Sequence, residues 1–541
     1  MNTLWYGDNL TIMQKEMGKH CVDLIYLDPP FKSDANYNLL YRNMTGKPVP
    51  EQAEAFFDQW QLDAAKLEIA RTMPVLMREH GVHDHYAEFW RIWMQALRNT
   101  QPELLAYLIY MVQRLLWMKG LLRPHGSIYL HCDPTASHYI KVMMDGIFGH
   151  DRFLGELVWQ RALAKGDARR KFAWNHDVIL AYAGGKNYTF NPVHAAKDEE
   201  YQGRFDRDDK DGRGPYHSAP LDSPSLRPNL TYEYKGYEPP AKGWRVSREE
   251  MERLDAEGRL IFPKTADGRI RRKLYASEQA GPKIGDVWTD IPPLQGSALR
   301  SGKAKKPSER LGYPTQKPIP LLKRIIEASS NPGDIVFDPF CGCGTTIYAA
   351  HETGRKWIGC DIAILAVKLI REVLEERYRL HEGAHYRIDG VPLSVEGAED
   401  LFKRDPFQFQ HWLVERVGGF PMQRKVADRG IDGRLYFEKR GSLGEVILSV
   451  KGGKLRPTDV RDLRGTMERE KADMAGFLSL QEPTKAMRAE AADAGMFTYN
   501  EVNYPRLQML TVQDVLEAKR DLDTPTKMGS RIATGQASLP L

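Results

Sequence analysis

Val336-Phe337-Asp338-Pro339-Phe340-Cys341-Gly342-Cys343-Gly344-Thr345-Thr346 reads as a strand, a glycine turn and the start of a helix. A strand that ends in glycines and opens a helix lets backbone approach a ligand closely. Asp361 follows at the end of the next apolar run, Trp357-Ile358-Gly359-Cys360. An acid roughly 20 positions past such a turn can accept from both hydroxyls of a ribose. The longer Gly-x-Gly-x-x-Gly of dinucleotide sites is absent, and so is the Gly-Lys-Ser/Thr of phosphate loops. The remaining candidate is S-adenosylmethionine, whose adenosine needs the acid and whose sulfonium needs no phosphate cradle.

A second string lies far upstream: Val22-Asp23-Leu24-Ile25-Tyr26-Leu27-Asp28-Pro29-Pro30-Phe31. It reads as a buried strand that delivers an acid, two prolines and an aromatic to a sharp stop. The exocyclic amino group of adenine or cytosine is a poor nucleophile, because its lone pair is delocalised into the ring. Acceptors aimed at both N–H bonds localise that pair. Asp28 supplies one acceptor and the Pro29 carbonyl another, with Pro29 and Pro30 fixing its direction. Phe31 offers a face on which the base can stack. A base must leave the duplex to reach such a pocket. No covalent intermediate is needed, so neither Cys21 nor Cys132 has to be a nucleophile.

The chain has 541 residues, ample for a sizeable core and for about three or four domains. Hydrophobic residues at 42% and charged residues at 28% are ordinary for a soluble globular protein, and no apolar run reaches the ~18 residues of a membrane span. With no signal peptide evident, a cytoplasmic location is expected. Five scattered cysteines form neither a disulfide framework nor a zinc set, and Cys341 and Cys343 read as small residues of the turn. The net charge is only +5, but residues 151–310 hold 30 Lys and Arg against 24 Asp and Glu. A basic middle segment fits contact with phosphates.

Apolar periodicity predicts helices within 51–98 and at 102–119, a turn at Pro124-His125-Gly126, a strand at 127–132 and a helix at 135–148. From about 160 to 314 the pattern weakens into Pro-, Gly-, Asp-, Lys- and Tyr-rich sequence, as in long functional loops. Alternation resumes at Asp334, with a helix at 344–353, a strand at 356–360 and a helix at 362–377. Strand–helix alternation argues for a mainly parallel sheet flanked by helices. A boundary follows near 380–400, then a compact unit within 400–515. The tail 522–541 is expected to be disordered.

Together the two strings resemble the DNA amino-methyltransferases in their β-class order, with the catalytic strand first and the cofactor strand last. The resemblance covers about 1–378. Phe153–Trp159, Asn175–Leu180 and Gly285–Asp290 further resemble the Mod-like adenine methylases. The resemblance implies a Rossmann-like α/β sheet in permuted order, S-adenosylmethionine as cofactor and double-stranded DNA as partner, with a dimer as the expected oligomer. It implies a catalytic half at 1–159, a target-recognition insertion at 160–314 and a cofactor half at 315–385. By resemblance Asp338, Phe340, Gly342, Gly344 and Thr345 line the methionine and adenosine parts, and Asp361 holds the ribose. Gln316 and Lys317, in Pro314-Thr315-Gln316-Lys317-Pro318, would close over the cofactor, and Asp8 would lie beside the adenine. Members with Asp at the position of Asp28 mostly methylate adenine N6, and those with Ser there tend to act on cytosine N4. The alternatives are N4-cytosine methylation and a DNA-binding protein that only senses the cofactor. In the insertion, basic clusters at Lys165/Arg169/Arg170/Lys171, Arg269/Arg271/Arg272/Lys273 and Lys303/Lys305/Lys306 are candidates for phosphate and base contacts.

Gly430-Ile431-Asp432-Gly433, followed by Glu445-Val446-Ile447-Leu448-Ser449-Val450-Lys451, resembles the Mrr-type branch of the PD-(D/E)xK nucleases. The resemblance implies a small α/β restriction-endonuclease-like domain in which Asp432 binds Mg²⁺, Lys451 steadies the attacking water and Glu415 is a helical acid of the site. Ser449 stands where a Glu, Asp or Gln is expected, and a serine hydroxyl is a poor Mg²⁺ ligand. Cutting and binding without cutting both stay open.

Overall fold

The computed structural model describes residues 1–30, 60–162, 172–265, 268–294, 309, 311, 316–422, 430–439 and 442–525. Its strands and helices build two compact units, one of residues Met1–Asn191 with Asp286–Leu541 and one of Pro192–Gly285.

The first unit opens with β1 (Asn2–Tyr6), α1 (Asn9–Lys15) and β2 (Val22–Leu27). Three helices follow: α2 (Ala64–Glu79), α3 (Asp84–Thr100) and α4 (Pro102–Leu121). The helical stretch expected up to 98 is thus split, at a turn where Gly81 takes φ +68°. Next come β3 (Leu122–Cys132), α5 (Ser137–Phe148), β4 (Phe153–Gln160) and β5 (His176–Ala183). β3 starts earlier than expected. Val22 pairs with Leu122 and Leu24 with Ser127, so the predicted turn at Pro124–Gly126 survives as a bulge inside the strand.

The unit of Pro192–Gly285 holds β6 (Tyr216–Pro220), α6 (Arg248–Ala256), β7 (Leu260–Ile261) and β8 (Arg271–Tyr275). Its three strands pair antiparallel around a core of Leu221, Trp244, Met251 and Ile270.

The first unit resumes with β9 (Val287–Trp288), α7 (Ile319–Ser329), β10 (Ile335–Asp338), α8 (Thr345–Glu352), β11 (Lys356–Asp361), α9 (Ile364–Tyr378) and β12 (Tyr386–Asp389). Its nine-stranded sheet runs β12-β1-β11-β10-β2-β3-β5-β4-β9. From β12 to β3 every neighbour is parallel, and β5 lies antiparallel between β3 and β4. Strands of a parallel sheet are buried on both faces and read as unbroken apolar runs. β2 is buried throughout its six residues and is apolar but for Asp23. α4 is apolar almost all round because it packs in the middle of an extensive core, with α2 and α3 against it.

The C-terminal part carries α10 (Val395–Arg404), α11 (Pro406–Arg416), β13 (Phe420–Pro421), β14 (Gly433–Lys439), β15 (Ser442–Lys451), α12 (Pro457–Glu470), β16 (Met474–Ser479), α13 (Lys485–Ala492), β17 (Met496–Tyr499), β18 (Val502–Pro505), β19 (Leu507–Thr511) and α14 (Val512–Leu516). Its own five-stranded sheet runs β13-β14-β15-β16-β19 and has its own core around Ile447, Val460 and Phe477. Leu522, placed by the sequence in a disordered tail, is buried; residues 526–541 of that tail lie outside the described residues.

Two expected boundaries shift. The insertion was expected to begin at 160, but β5 is a central strand of the large sheet and the separate unit begins at Pro192. The C-terminal part has its own sheet, yet it forms one compact unit with the large sheet.

Candidate active site

β2 and β10 lie side by side and parallel, with Phe337 opposite Ile25. Their carboxyl ends therefore bring Asp28 and Asp338 together, although about 300 residues of chain separate them. In open α/β sheets ligands bind in the crevice beyond such strand ends.

Asp28 is largely buried, with one carboxylate oxygen committed. Lys317 Nζ donates to its Oδ2 at 2.5 Å, with both side chains at most 15% exposed. Oδ1 is buried and has no hydrogen-bond partner among the described residues. An acceptor kept dry and unpaired costs stability, which makes it a candidate for a ligand's donor. Below Asp28, on the same face of β2, the Tyr26 hydroxyl meets His131 Nδ1 at 2.9 Å. His131 Nε2 lies 3.1 Å from Asp177 Oδ2, and Arg161 pairs with the same carboxylate. This network brings β3 and β5 under the end of β2. Neither His131 nor Asp177 was identified from the sequence, where each is one polar residue in an apolar strand. Phe31 and the residues after it lie outside the described residues.

The turn after β10 is closed by Asp338. Its Oδ1 accepts from the Phe340 amide at 2.9 Å, and its Oδ2 accepts from the Thr346 hydroxyl at 2.5 Å. Burial pushes this carboxyl up to about 7; the two hydrogen bonds pull it down, while Asp28 and Asp361 push it up. Gly344 caps α8 with φ +86°, and a Cβ there would lie 2.8 Å from Ile370 Cγ1 and from the Tyr348 hydroxyl. Gly342 also has positive φ, +49°. The turn thus depends on glycine and keeps its backbone open.

Asp361 ends β11. Its Oδ2 accepts from the Gly342 amide at 2.8 Å and its Oδ1 from the Ala363 amide at 2.9 Å. Burial pushes it up to about 6, against the pull of these amides. Asp8 caps α1 through the Thr11 amide and is paired at 2.6 Å with Arg114. Arg114 in turn donates to Asn9, and Asn9 donates to the Pro339 carbonyl at 2.7 Å. This relay fastens the β1–α1 turn to the glycine turn. The sequence held a signal for Arg114, a lone guanidinium on an otherwise apolar helix, because buried charges are paired.

Other expected residues stand elsewhere. Gln316 accepts from the Leu311 amide at 2.7 Å and donates to the Glu309 carbonyl at 2.9 Å, so its side chain staples its own loop. Thr345 is buried at the start of α8. Lys317 is on Asp28, and its charge also acts on Asp177 and Cys343. Of the basic clusters, 165–171 and 303–306 lie outside the described residues. In the third, Arg271 is bound to Ser218 and Lys273 to Asp209. These two charges serve the fold of their own unit.

In the C-terminal part, Asp432 Oδ2 accepts from the Val450 amide at 2.6 Å and the Ser449 hydroxyl at 3.3 Å, while Oδ1 accepts from Gln410 at 3.2 Å. Lys451 is two residues beyond Ser449 on the same strand, hence on the same face. Glu415 does not join them. It is five residues past Gln410, about 140° further round α11, and its Oε2 accepts from the Ile364 amide at 3.1 Å. Among the described residues no group of three His, Cys, Asp or Glu is gathered to hold a metal ion. Among the described residues, Asp432 therefore has no partner acids for the expected Mg²⁺ site.

The strand-end site fits S-adenosylmethionine. Asp361 is an acceptor suited to ribose hydroxyls, and two left-handed glycines leave room at the turn. No helix among the described residues is long and apolar enough to cross a membrane.

Comparison with known proteins bears on both parts. The N6/N4 methyltransferase family, described as DNA methylase, matches residues 22–372. A family described as NACHT-associated inactive Restriction Endonuclease 1 matches residues 406–517. The type II methyltransferase M.EcaI of Enterobacter cloacae is 34% identical over 267 residues, 49% of this chain and 56% of that protein. The Mod subunit of the type III restriction-modification enzyme StyLTI of Salmonella typhimurium is 24% identical over 376 residues, 67% of this chain and 52% of that one. The DNA adenine methyltransferase YhdJ of Escherichia coli is 60% identical over 57 residues, 10% of this chain and 19% of that one. The chain thus spans little more than half the length of the first two relatives.

Proposed function

Because the chain belongs to the N6/N4 DNA methylase family, we propose that it methylates the exocyclic amino group of a flipped base in double-stranded DNA at specific sites, adenine N6 in preference to cytosine N4. The observation that carries this reading is the meeting of Asp28 with the Asp338–Gly344 turn on adjacent parallel strands. S-adenosylmethionine, when bound, supplies an electrophilic methyl group on a sulfonium. Asp361 would hold its ribose, and the turn from Phe340 to Gly344 would admit its adenosine and methionine parts.

Asp28 Oδ1 would accept one N–H of the amino group, and the Pro29 carbonyl the other. With both N–H bonds held, the nitrogen lone pair is drawn out of the ring. Lys317 holds the Asp28 carboxylate by its Oδ2, and Tyr26–His131–Asp177 braces the strand beneath it. Once the nitrogen has been alkylated it must shed a proton, and Asp28 is the base within reach. Holding the two reactants in line supplies most of the remaining acceleration. Adenine is favoured by Asp at position 28 and by the likeness to a DNA adenine methyltransferase. The unit of Pro192–Gly285 belongs to the proposed target-recognition region.

For the C-terminal part we infer a binding module without metal-dependent cleavage. Support comes from Ser449 at the expected acid position, from Asp432 being taken up by an amide, a hydroxyl and Gln410, and from the likeness to an inactive endonuclease family.

Two experiments test these readings. Asp28→Ala is expected to lower methyl transfer by about 10²–10⁴-fold while S-adenosylmethionine binds as before; transfer at the wild-type rate would sink the role of Asp28. Plasmid DNA incubated with the protein and Mg²⁺ is expected to stay intact in every methylation state. Cleavage that Asp432→Ala abolishes would restore the nuclease reading.

A further inference from the structure

Helix α11 opens the endonuclease-like part, yet one of its faces is built against the cofactor half. Glu415 accepts from the Ile364 amide at 3.1 Å, and Gln408 reaches the Ile362 carbonyl at 3.4 Å. The two residues are seven apart, about two helical turns, and so stand on the same face. Between them they hold both ends of segment 362–364, which directly follows Asp361. The middle amide of that segment, from Ala363, donates to Asp361 Oδ1. The carboxylate is thus set on one side by the glycine turn and on the other by a loop that α11 grips. The Tyr6 hydroxyl is buried beside Glu415 and Gln408 without a well-formed hydrogen bond. A shallow cleft opens beside Tyr6, bordered by Gly7 and Asp8 on one side and by Arg404, Asp405 and Gln408 on the other. A half-buried acid and a buried amide are costly ways to fill a joint that apolar side chains could fill. Their placement on the loop of Asp361 gives them a task.

We propose that the C-terminal part supplies a wall of the cofactor site and sets the affinity for S-adenosylmethionine, with Glu415 as a positioning residue that acts through segment 362–364 on Asp361. This rests on the reading of Asp361 as the acid that holds the ribose.

The groups facing Glu415 are Tyr6 from β1, Asp361 from β11 and Lys368 from α9. Burial pushes Glu415 up to about 8; Asp361 pushes it the same way, while the Ile364 amide, Lys368 and Tyr6 pull it down. Near pH 7 it is mostly neutral and adds no charge beside Asp361. Above pH 8 a second charge appears beside it. Asp361 then keeps its own only at greater cost, and a carboxylate accepting two ribose hydroxyls must be charged. Affinity is therefore highest between about pH 6, where Asp361 gives up its proton, and about pH 8, and falls as pH rises through the upper value.

The test is calorimetric titration of S-adenosylmethionine into the full chain at pH 7, 8 and 9, in wild type and Glu415→Gln. If only the neutral form of Glu415 binds well, the wild-type Kd rises by up to about tenfold from pH 7 to 9. Glu415→Gln keeps the shape and the neutral state, so this rise is lost. Ionisation of the ligand's own amino group is common to both proteins and cancels in their ratio. A Kd ratio that stays constant from pH 7 to 9 overturns the proposal. A wild type that binds no S-adenosylmethionine at any pH overturns the cofactor reading as well, so the two failures are distinct. A second readout needs no substitution. Hydrogen–deuterium exchange of wild type is expected to show protection by the cofactor extending from 361–364 into 406–416. Protection that stops at 364 overturns the proposal.

Discussion

Asp338 and Asp361 are held as partly protonated acids, because burial disfavours their charged forms more than their hydrogen bonds favour them. A carboxyl that binds its proton more tightly in the folded chain stabilises the fold fully below its unfolded value of about 4. That contribution is lost as pH climbs through the folded value. For Asp338 the window runs from about 4 to about 7. Asparagine can still accept from the Phe340 amide and can donate to Thr346. Asp338→Asn is therefore expected to melt a few °C above wild type at pH 8, with the gain fading towards pH 4; calorimetric melting across this range checks it. A gain independent of pH would contradict the account of this carboxyl. At this scale the sequence was legible where chemistry is local. Asp28, the glycines and Asp361 each declare themselves beside a strand end. Lys317 was read as a cofactor residue, and its bond to Asp28 was not legible, because 289 residues lie between the two. Glu415 was assigned to a nuclease site because its helix was recognised but the face it presents was not.

Periodicity gives most strands and helices before 160 and from 334 to 377, since a run such as Val22–Leu27 has no other buried reading, but not β5 to β9 or α6 within 160–314. What periodicity lacks is partners. That β10 stands next to β2, and that β5 runs antiparallel into the large sheet, depends on contacts between distant segments. The bulge in β3 shows the same limit: Pro124-His125-Gly126 looked like a turn, and the paired strands simply run past it. The glycine turn is the element on which the cofactor site most depends. In Gly344→Ala the left-handed conformation costs about 1–2 kcal/mol, and the new methyl group meets Ile370 and Tyr348 at 2.8 Å. This variant is expected to melt lower and to lose most of its affinity for S-adenosylmethionine by calorimetry. Wild-type affinity in the variant would contradict the turn's place in the site.

At the scale of the whole molecule, composition and basic bias pointed to a multidomain protein that handles DNA, and motif order placed a recognition region inside the methyltransferase. The boundary at Pro192 was not legible, because the sequence from 160 onward already looks irregular while β5 still belongs to the sheet. The C-terminal part was expected to stand apart. It has its own core, but its helix α11 packs on the cofactor half, and nothing in a boundary of mixed composition near 380–400 announces that contact. The methyltransferase reading depends on both halves of the sheet working on one base. The most direct measurement is methyl transfer from labelled S-adenosylmethionine to unmethylated genomic DNA, with nucleoside mass spectrometry of the product, for wild type and Asp28→Ala. The account predicts N6-methyladenine from wild type and almost none from the variant. Absence of any methylated base, or equal yields from both proteins, would contradict it.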